Sequence, residues 1–394
     1  MNKLTVKDID VTGKRVLVRV DFNVPVGKDG SISDDTRIRA SLPTIEYLIK
    51  KRCRIVLCSH FDRPDGKVVE SMRLAPVAKR LSELLGVHVE ALKDCIGPEV
   101  EAAVSKLRDG EIALLENVRF HPGEESNKPE FALALSRLAD VYVNDAFGAS
   151  HRSHASVVGV AQYLPAVSGF LMEKEIDSLG GALENPERPF AVVVGGAKVS
   201  GKLGVLDNVI DKVNLLLIGG GMVATFLKSR GYGTGSSLVE NDKLDYVRRL
   251  AEKASLSGVK LLLPVDLVVA EKLEAGSDVK VVPAAGVPEN LVIADIGPET
   301  IEQYSRELKA CKTVVWNGPM GVFEVPEFAR GTRGIAEIIS NLKAKTIIGG
   351  GSTAEAVNEM GLDKKMYHVS TGGGASLEFL EGKVLPGVAA LRDK

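Results

Sequence analysis

FAVVVGGAK, residues Phe190–Lys198, sets five apolar residues, three of them consecutive valines, directly in front of two glycines and a lysine. A short β-branched run that stops at a glycine pair reads as a buried strand ending in a tight corner. The same event recurs at Leu215–Gly221 (LLLIGGG), Thr313–Gly321 (TVVWNGPMG), Thr346–Thr353 (TIIGGGST) and His368–Gly374 (HVSTGGG). Continuous apolar strands belong to parallel sheets covered on both faces, so the expected fold is α/β with helices on either side. Glycine admits a ligand close to backbone N–H groups and a following helix adds its positive end, so such corners suit phosphate.

The first half of the chain has strands of the same kind but different endings. RVLVRVDFN (Arg15–Asn23), RIVLCSH (Arg54–His60), IALLENVRF (Ile112–Phe120) and VYVNDAF (Val141–Phe147) read as strands, and Leu74–Gly86 and Glu130–Asp140 between them have helical apolar spacing. Open parallel sheets bind ligands at the carboxyl ends of their strands. There lie Asp21 and Asn23, Ser59, His60 and Arg63, Arg119, and His151, Arg152 and His154. Arg37 falls in DDTRIRA, read as a loop leading into a helix around Leu42–Lys50. A lone arginine is most often half of a surface ion pair. Four at one rim instead suggest a small, multiply charged anion, because each guanidinium is a rigid fork of donors. The same arginines disfavour a metal on the neighbouring histidines.

At 394 residues the chain exceeds the size at which one core keeps growing, which predicts two domains. The boundary is placed in Ser168–Pro189, where a charged helical stretch ends in Gly180, Gly181 and two prolines. The formal charge is −2 with no long single-sign block, which argues against nucleic acid as the main partner. Cys53, Cys58, Cys95 and Cys311 form no CxxC pair and no metal-like spacing with histidine, so they read as reduced, mostly buried thiols. The amino terminus has no apolar leader and no stretch is long enough to span a bilayer. A cytoplasmic protein without a membrane partner is expected.

Two motifs in the second half compete with a phosphoryl-transfer reading. Gly196–Leu203, GAKVSGKL, nearly matches the P-loop but ends in Leu203 where magnesium needs a hydroxyl. Gly219–Ala224 fits a dinucleotide fingerprint with Glu240 downstream, which would make the chain a nicotinamide dehydrogenase and leave the arginines unexplained. Triple glycine also has a purely structural use in tight corners with close packing. Lys198 and Lys202 are spaced to reach phosphates or to lie on a solvated helix face, and Glu324 to meet ribose hydroxyls or water. Taken together, the residues indicate an anionic small substrate on the first domain, nucleotide phosphates on the second, and phosphoryl transfer.

At RVDFNVP, DDTRIRASLPTI, ENVRFHPGE, NDAFG, GGAKVS, TVVWNGPMGVFE and VSTGGGASLEFLEG the chain strongly resembles the phosphoglycerate kinase family, in order from about Val16 to Leu385. The resemblance implies reversible phosphoryl transfer between 1,3-bisphosphoglycerate and ADP, giving 3-phosphoglycerate and ATP, with Mg2+, in a monomer whose two Rossmann-like domains close on a hinge. It implies a 3-phosphoglycerate domain over residues 1–170 with 383–394 packing back on it, an interdomain helix over 171–186, and a nucleotide domain over 187–382. The substrate site would comprise Asp21, Phe22, Asn23, Arg37, His60, Phe61, Asp62, Arg63, Arg119 and Arg152. The nucleotide side would comprise Gly195, Lys198, Lys202, Gly219, Ile293, Asn317, Glu324, Gly350, Gly351, Ser352 and Thr353. Arg37 and Lys198, helped by the backbone near Gly373, would stabilise the transferring group.

Some motif positions depart from the family. SHLGRP becomes SHFDRP, so Phe61 and Asp62 replace Leu and Gly beside the expected anion subsite. Gly201 has lost a carboxylate, Ile293 stands where glycine is common, and Ser352 stands where an aspartate meets the nucleotide's magnesium. The lost carboxylates at positions 201 and 352 motivate an alternative expectation, an impaired relative that survives as a binding or regulatory protein.

Overall fold

The computed structural model describes residues 2–27 and 30–394. The chain forms two compact units, Met1–Asp177 together with Val384–Lys394, and Ser178–Lys383. The dividing point falls in a π-helical turn, Ile176–Gly180, set between short helices at Phe170–Glu175 and Gly181–Glu184.

In the first unit β1 (Arg15–Arg19), β2 (Arg54–Cys58), β3 (Val89–Ala91), β4 (Ile112–Leu114), β5 (Val141–Asn144) and β6 (Ala166–Ser168) form one six-stranded sheet in the order β3-β4-β2-β1-β5-β6. Every pairing is parallel. The central strand β1 has four of its five residues buried, as a strand covered on both faces must. Its register sets Arg19 beside Cys58 of β2 and Asn144 of β5, so three strands end at one level. The polar residues that follow them therefore share one edge.

The strands stop earlier than the sequence suggested, at Arg19, Cys58, Leu114 and Asn144. Their polar tails leave the ladder as loops and short turns. A larger correction concerns Arg37. The helix runs Thr36–Lys50, so Arg37 sits in its first turn, not in a loop. The helix accommodates Pro43 in its interior and buries Ile38, Ser41, Thr44, Ile45 and Leu48 along one stripe.

In the second unit β7 (Phe190–Val194), β8 (Leu215–Ile218), β9 (Lys260–Leu262), β10 (Asp266–Ala270), β11 (Lys280–Pro283), β12 (Val292–Ile296), β13 (Thr313–Asn317), β14 (Lys345–Gly349) and β15 (His368–Val369) divide between two sheets. Six are parallel in the order β15-β14-β13-β7-β8-β9, and β11-β10-β12 form a small antiparallel sheet that the sequence reading did not anticipate. Asn317 pairs with Gly349 and Val194, and Val194 with Ile218, so the glycine corners also begin at one level. Among the described residues no helix is long and apolar enough to cross a membrane.

Candidate active site

The edge of the first sheet gathers charge. Arg37 donates through one nitrogen to Asp21 Oδ2 at 3.2 Å and to the Asn23 carbonyl at 3.1 Å. Asn23 Oδ1 accepts the Asp62 N–H at 2.9 Å, and the Asp62 carbonyl accepts from Arg119 at 2.7 Å. Arg119 is buried, with Nε 3.2 Å from Glu125 Oε1. Arg152 is half-buried, near enough for its charge to press on both Arg119 and His154. Arg63 is exposed. Phe22 and Phe61 are buried, so their side chains belong to the core beneath the rim.

Asp62 answers a question of local geometry. Its φ is +51°, a region that favours glycine but that Asp tolerates better than most residues. The carboxylate is exposed while the backbone holds Asn23 and Arg119. The loop therefore keeps its shape with a charge at its surface.

Burial and the surrounding arginines act together on the histidines. His60 is held well below its ordinary 6.5 by burial first, then by Arg19, Arg119, Arg37 and His154. His154 falls to about 4, by burial and then by Arg119, Arg19, Arg152 and His151. Both rings are neutral near pH 7, and the rim's positive charge comes from guanidinium groups.

Sequence reasoning missed the supports of this rim. Asn117 is fully buried, accepts the Phe61 and Arg119 N–H groups at 3.0 and 3.1 Å, and donates to the Phe61 carbonyl at 2.7 Å. Arg19, the last residue of β1, is 1% exposed and meets His60 Nδ1 at 3.2 Å. The usable signal was a charged residue closing an otherwise apolar, doubly covered strand.

The glycine corners of the second sheet serve two different purposes. Gly195, Gly196, Gly219, Gly220 and Gly318 pack backbone against backbone. Gly195 N–H donates to the Asn317 carbonyl, Gly196 N–H to that of Pro319, Gly220 N–H to that of Met320, and Met222 N–H to that of Gly196, at 2.8–3.1 Å. A Cβ on Gly220 would stand 2.5 Å from the Gly196 nitrogen, and one on Gly219 would stand 2.5 Å from Met320 sulfur. Close packing, the structural use weighed for such triplets, accounts for Gly195, Gly219, Gly220 and Gly318, and a φ of +123° accounts for Gly196. Glu240, the acidic partner of the supposed dinucleotide fingerprint, instead accepts the Ser200 N–H at 3.1 Å.

Gly351 and Gly373 differ, because a Cβ at either would meet nothing within 4 Å. Gly351 opens the helix Gly351–Glu359, whose first turn holds exposed Ser352 and buried Thr353. Thr353 Oγ1 accepts the Gly318 N–H at 2.7 Å, tying this turn to the neighbouring corner. Gly350 has φ +91°, and a Cβ there would stand 3.0 Å from Asn317 Nδ2. That amide nitrogen is buried without a hydrogen-bond partner, while Asn317 Oδ1 accepts from Lys202 Nζ. Burial lowers Lys202 to about 8, with Glu381 opposing. Lys198 is exposed, as is Glu324; Ile293 is buried within β12.

One group of His, Cys, Asp or Glu side chains among the described residues lies within metal-binding range, Asp94, Cys95 and His121, which sequence spacing did not reveal. His121 Nε2 lies 2.7 Å from Asp94 Oδ1, and burial pushes the Cys95 thiol well above its ordinary 9, so the group is a His–Asp pair beside a core cysteine. All four cysteines are free and buried.

A guanidinium rim ending one parallel sheet, and open glycine turns with lysines ending another, define a two-domain α/β phosphotransferase. The phosphoglycerate kinase family model matches residues 6–383. The chain is 56% identical over 394 residues to the phosphoglycerate kinases of Moorella thermoacetica and of Pelotomaculum thermopropionicum, covering each from end to end. It superimposes on the phosphoglycerate kinase structure from Coxiella burnetii with a TM-score of 0.90 at 42% identity, and on that from Pyrococcus horikoshii with 0.85 at 36%, each over 98% of both chains. The chain belongs to the phosphoglycerate kinase family. Its function is the reaction of that family, reversible phosphoryl transfer between 1,3-bisphosphoglycerate and ADP in glycolysis. Nothing favours the impaired alternative.

Proposed function

We propose that the basic rim of the first unit holds the glycerate phosphate and that the glycine edge of the second holds ATP or ADP. Arg37, Arg63, Arg119 and Arg152 carry the charge that balances the glycerate ligand, while Asp21, Asn23 and the Asp62 backbone fix the geometry of Arg37 and Arg119. The observation that carries the nucleotide side is the unpartnered, buried Asn317 Nδ2 beside the open turn Gly350–Thr353. A donor left unpaired there costs stability until a ligand oxygen accepts it. Lys198 and Lys202 supply mobile charge, and the start of the Gly351–Glu359 helix supplies oriented N–H groups. Phosphoryl transfer asks mainly for positioning and spread positive charge, so no side chain need act as a covalent nucleophile.

The donor set at this edge also suits magnesium in a particular way. The turn offers the exposed Ser352 hydroxyl and no carboxylate, which fits a Mg2+ held by nucleotide phosphates and water. When bound, the ion offsets charge on the phosphate oxygens. A monomeric, cytoplasmic enzyme is the reading that accords with this chemistry.

Ser352→Asp tests the account of the metal. A carboxylate in that turn should lower the Mg2+ concentration for half-maximal activity severalfold in a coupled assay with ATP and 3-phosphoglycerate. An unchanged requirement would mean that the metal does not meet this turn.

A further inference from the structure

Arg19 is, after Trp316, the largest of the fully sealed side chains, at 1% exposure on the last residue of β1. A guanidinium so placed is tolerated only if its donors are matched. Nε donates to Ser156 Oγ at 2.8 Å, one terminal nitrogen to the Val20 carbonyl at 2.5 Å, and the other meets His60 Nδ1 at 3.2 Å. Ser156 Oγ in turn donates to Glu124 Oε1 at 2.6 Å, and its N–H donates to Glu124 Oε2 at 2.8 Å. Glu124 is fully buried; burial raises its carboxyl above the ordinary 4.5, with Arg19 and the Ser156 hydrogen bonds opposing, so one hydroxyl links the guanidinium to a sealed carboxyl group.

The contact with His60 has only one chemical solution. A guanidinium carries five donors and no acceptor, and it stays charged. His60 Nδ1 must therefore be the acceptor, and the single ring proton of the neutral imidazole must sit on Nε2. A proton on Nδ1 would set two donors face to face. The groups facing the ring reinforce this. Asp21 Oδ1 lies 4.0 Å from Nδ1, but its other oxygen is engaged by Arg37, and against that carboxylate stand Arg19, Arg37, Arg119 and His154. Among the described residues Nε2 has no hydrogen-bond partner, so that edge is free to meet a ligand.

We propose that Arg19 is a positioning residue that locks His60 in the neutral Nε2–H tautomer, so that the ring presents a fixed hydrogen-bond donor to the anion at the basic rim. This rests on the reading of the rim as the glycerate-phosphate subsite. The alternative tautomer would turn a lone pair toward an anionic ligand. The lock also keeps the donor unchanged across the range in which a free histidine changes charge.

Two-bond proton–nitrogen correlation on histidine-labelled wild-type protein reads the tautomer directly. The expected result is an Nε2–H signature for His60 that persists from about pH 8 to below its ordinary value of 6.5. Arg19→Gln retains a donor without the charge, so the tautomer should persist while His60 titrates at higher pH than in wild type. Arg19→Met loses both, and should show mixed tautomers with KM for 3-phosphoglycerate raised roughly tenfold and kcat changed less. An Nδ1–H signature in wild type, or titration near 6.5, overturns the proposal whether or not a variant folds. His60→Ala that binds 3-phosphoglycerate as tightly as wild type, with the tautomer found as expected, overturns instead the role of the ring in the subsite.

Discussion

Lys202 shows how one half-buried side chain couples pH to two opposed quantities. Its ammonium is depressed from 10.5 to about 8 by burial against the Asn317 corner. Below that value the charged form attracts nucleotide phosphate, so affinity for ADP should fall as pH rises through about 8, and Lys202→Met should remove that dependence. Stability moves the other way. A lysine whose folded value is depressed binds its proton less well folded than unfolded, so its penalty is relieved as pH climbs from about 8 to 10.5. Titration calorimetry with ADP between pH 7 and 9, in both proteins, measures the binding part; a parallel pH slope in the two would refute it.

The glycine-ended strands decided the fold at sight, because a β-branched run stopping at glycine has few other structural outcomes. What those glycines do was less legible. Packing between corners and access for a ligand demand the same residue, and only coordinates separate Gly220, jammed against Gly196, from Gly351, which faces open space. The contrast predicts opposite behaviour. Gly220→Ala, at φ +70°, should lose about 2–4 kcal/mol in urea unfolding. Gly351→Ala should hold or slightly gain stability in its helix yet raise KM for ATP, because the new methyl occupies the ligand's approach. Elsewhere the sequence misled for identifiable reasons. The charged stretch DDTRIRA, read as a loop, hid the first turns of the Thr36–Lys50 helix, and Arg19 was masked by the apolar strand that contains it. Asn117 could not be singled out, since three of its four side-chain hydrogen bonds reach Phe61 and Met72, in segments distant in sequence.

The chain as a whole returns to its beginning. Val384–Lys394 belongs to the first unit, where Leu385, Val388 and Leu391 are buried, Asn144 Nδ2 donates to the Gly387 carbonyl at 3.2 Å, and Leu4 N–H to that of Arg392 at 2.8 Å. The first unit is therefore complete only after the second has been made. Leu391→Ala should cost the first unit about 2–5 kcal/mol. Trp316, the sole tryptophan, lies in the second unit, so its fluorescence should report a smaller shift of midpoint than circular dichroism does. Coincident, equally shifted transitions would show the units to unfold as one.

The division of ligands between the two sheet edges is tested most directly by calorimetric titration of Arg37→Met and Lys198→Met with 3-phosphoglycerate and with Mg·ADP separately. Arg37→Met should weaken 3-phosphoglycerate about tenfold or more and leave nucleotide affinity unchanged, and Lys198→Met should do the reverse. Loss of the same ligand in both variants, or no loss in either, would contradict it.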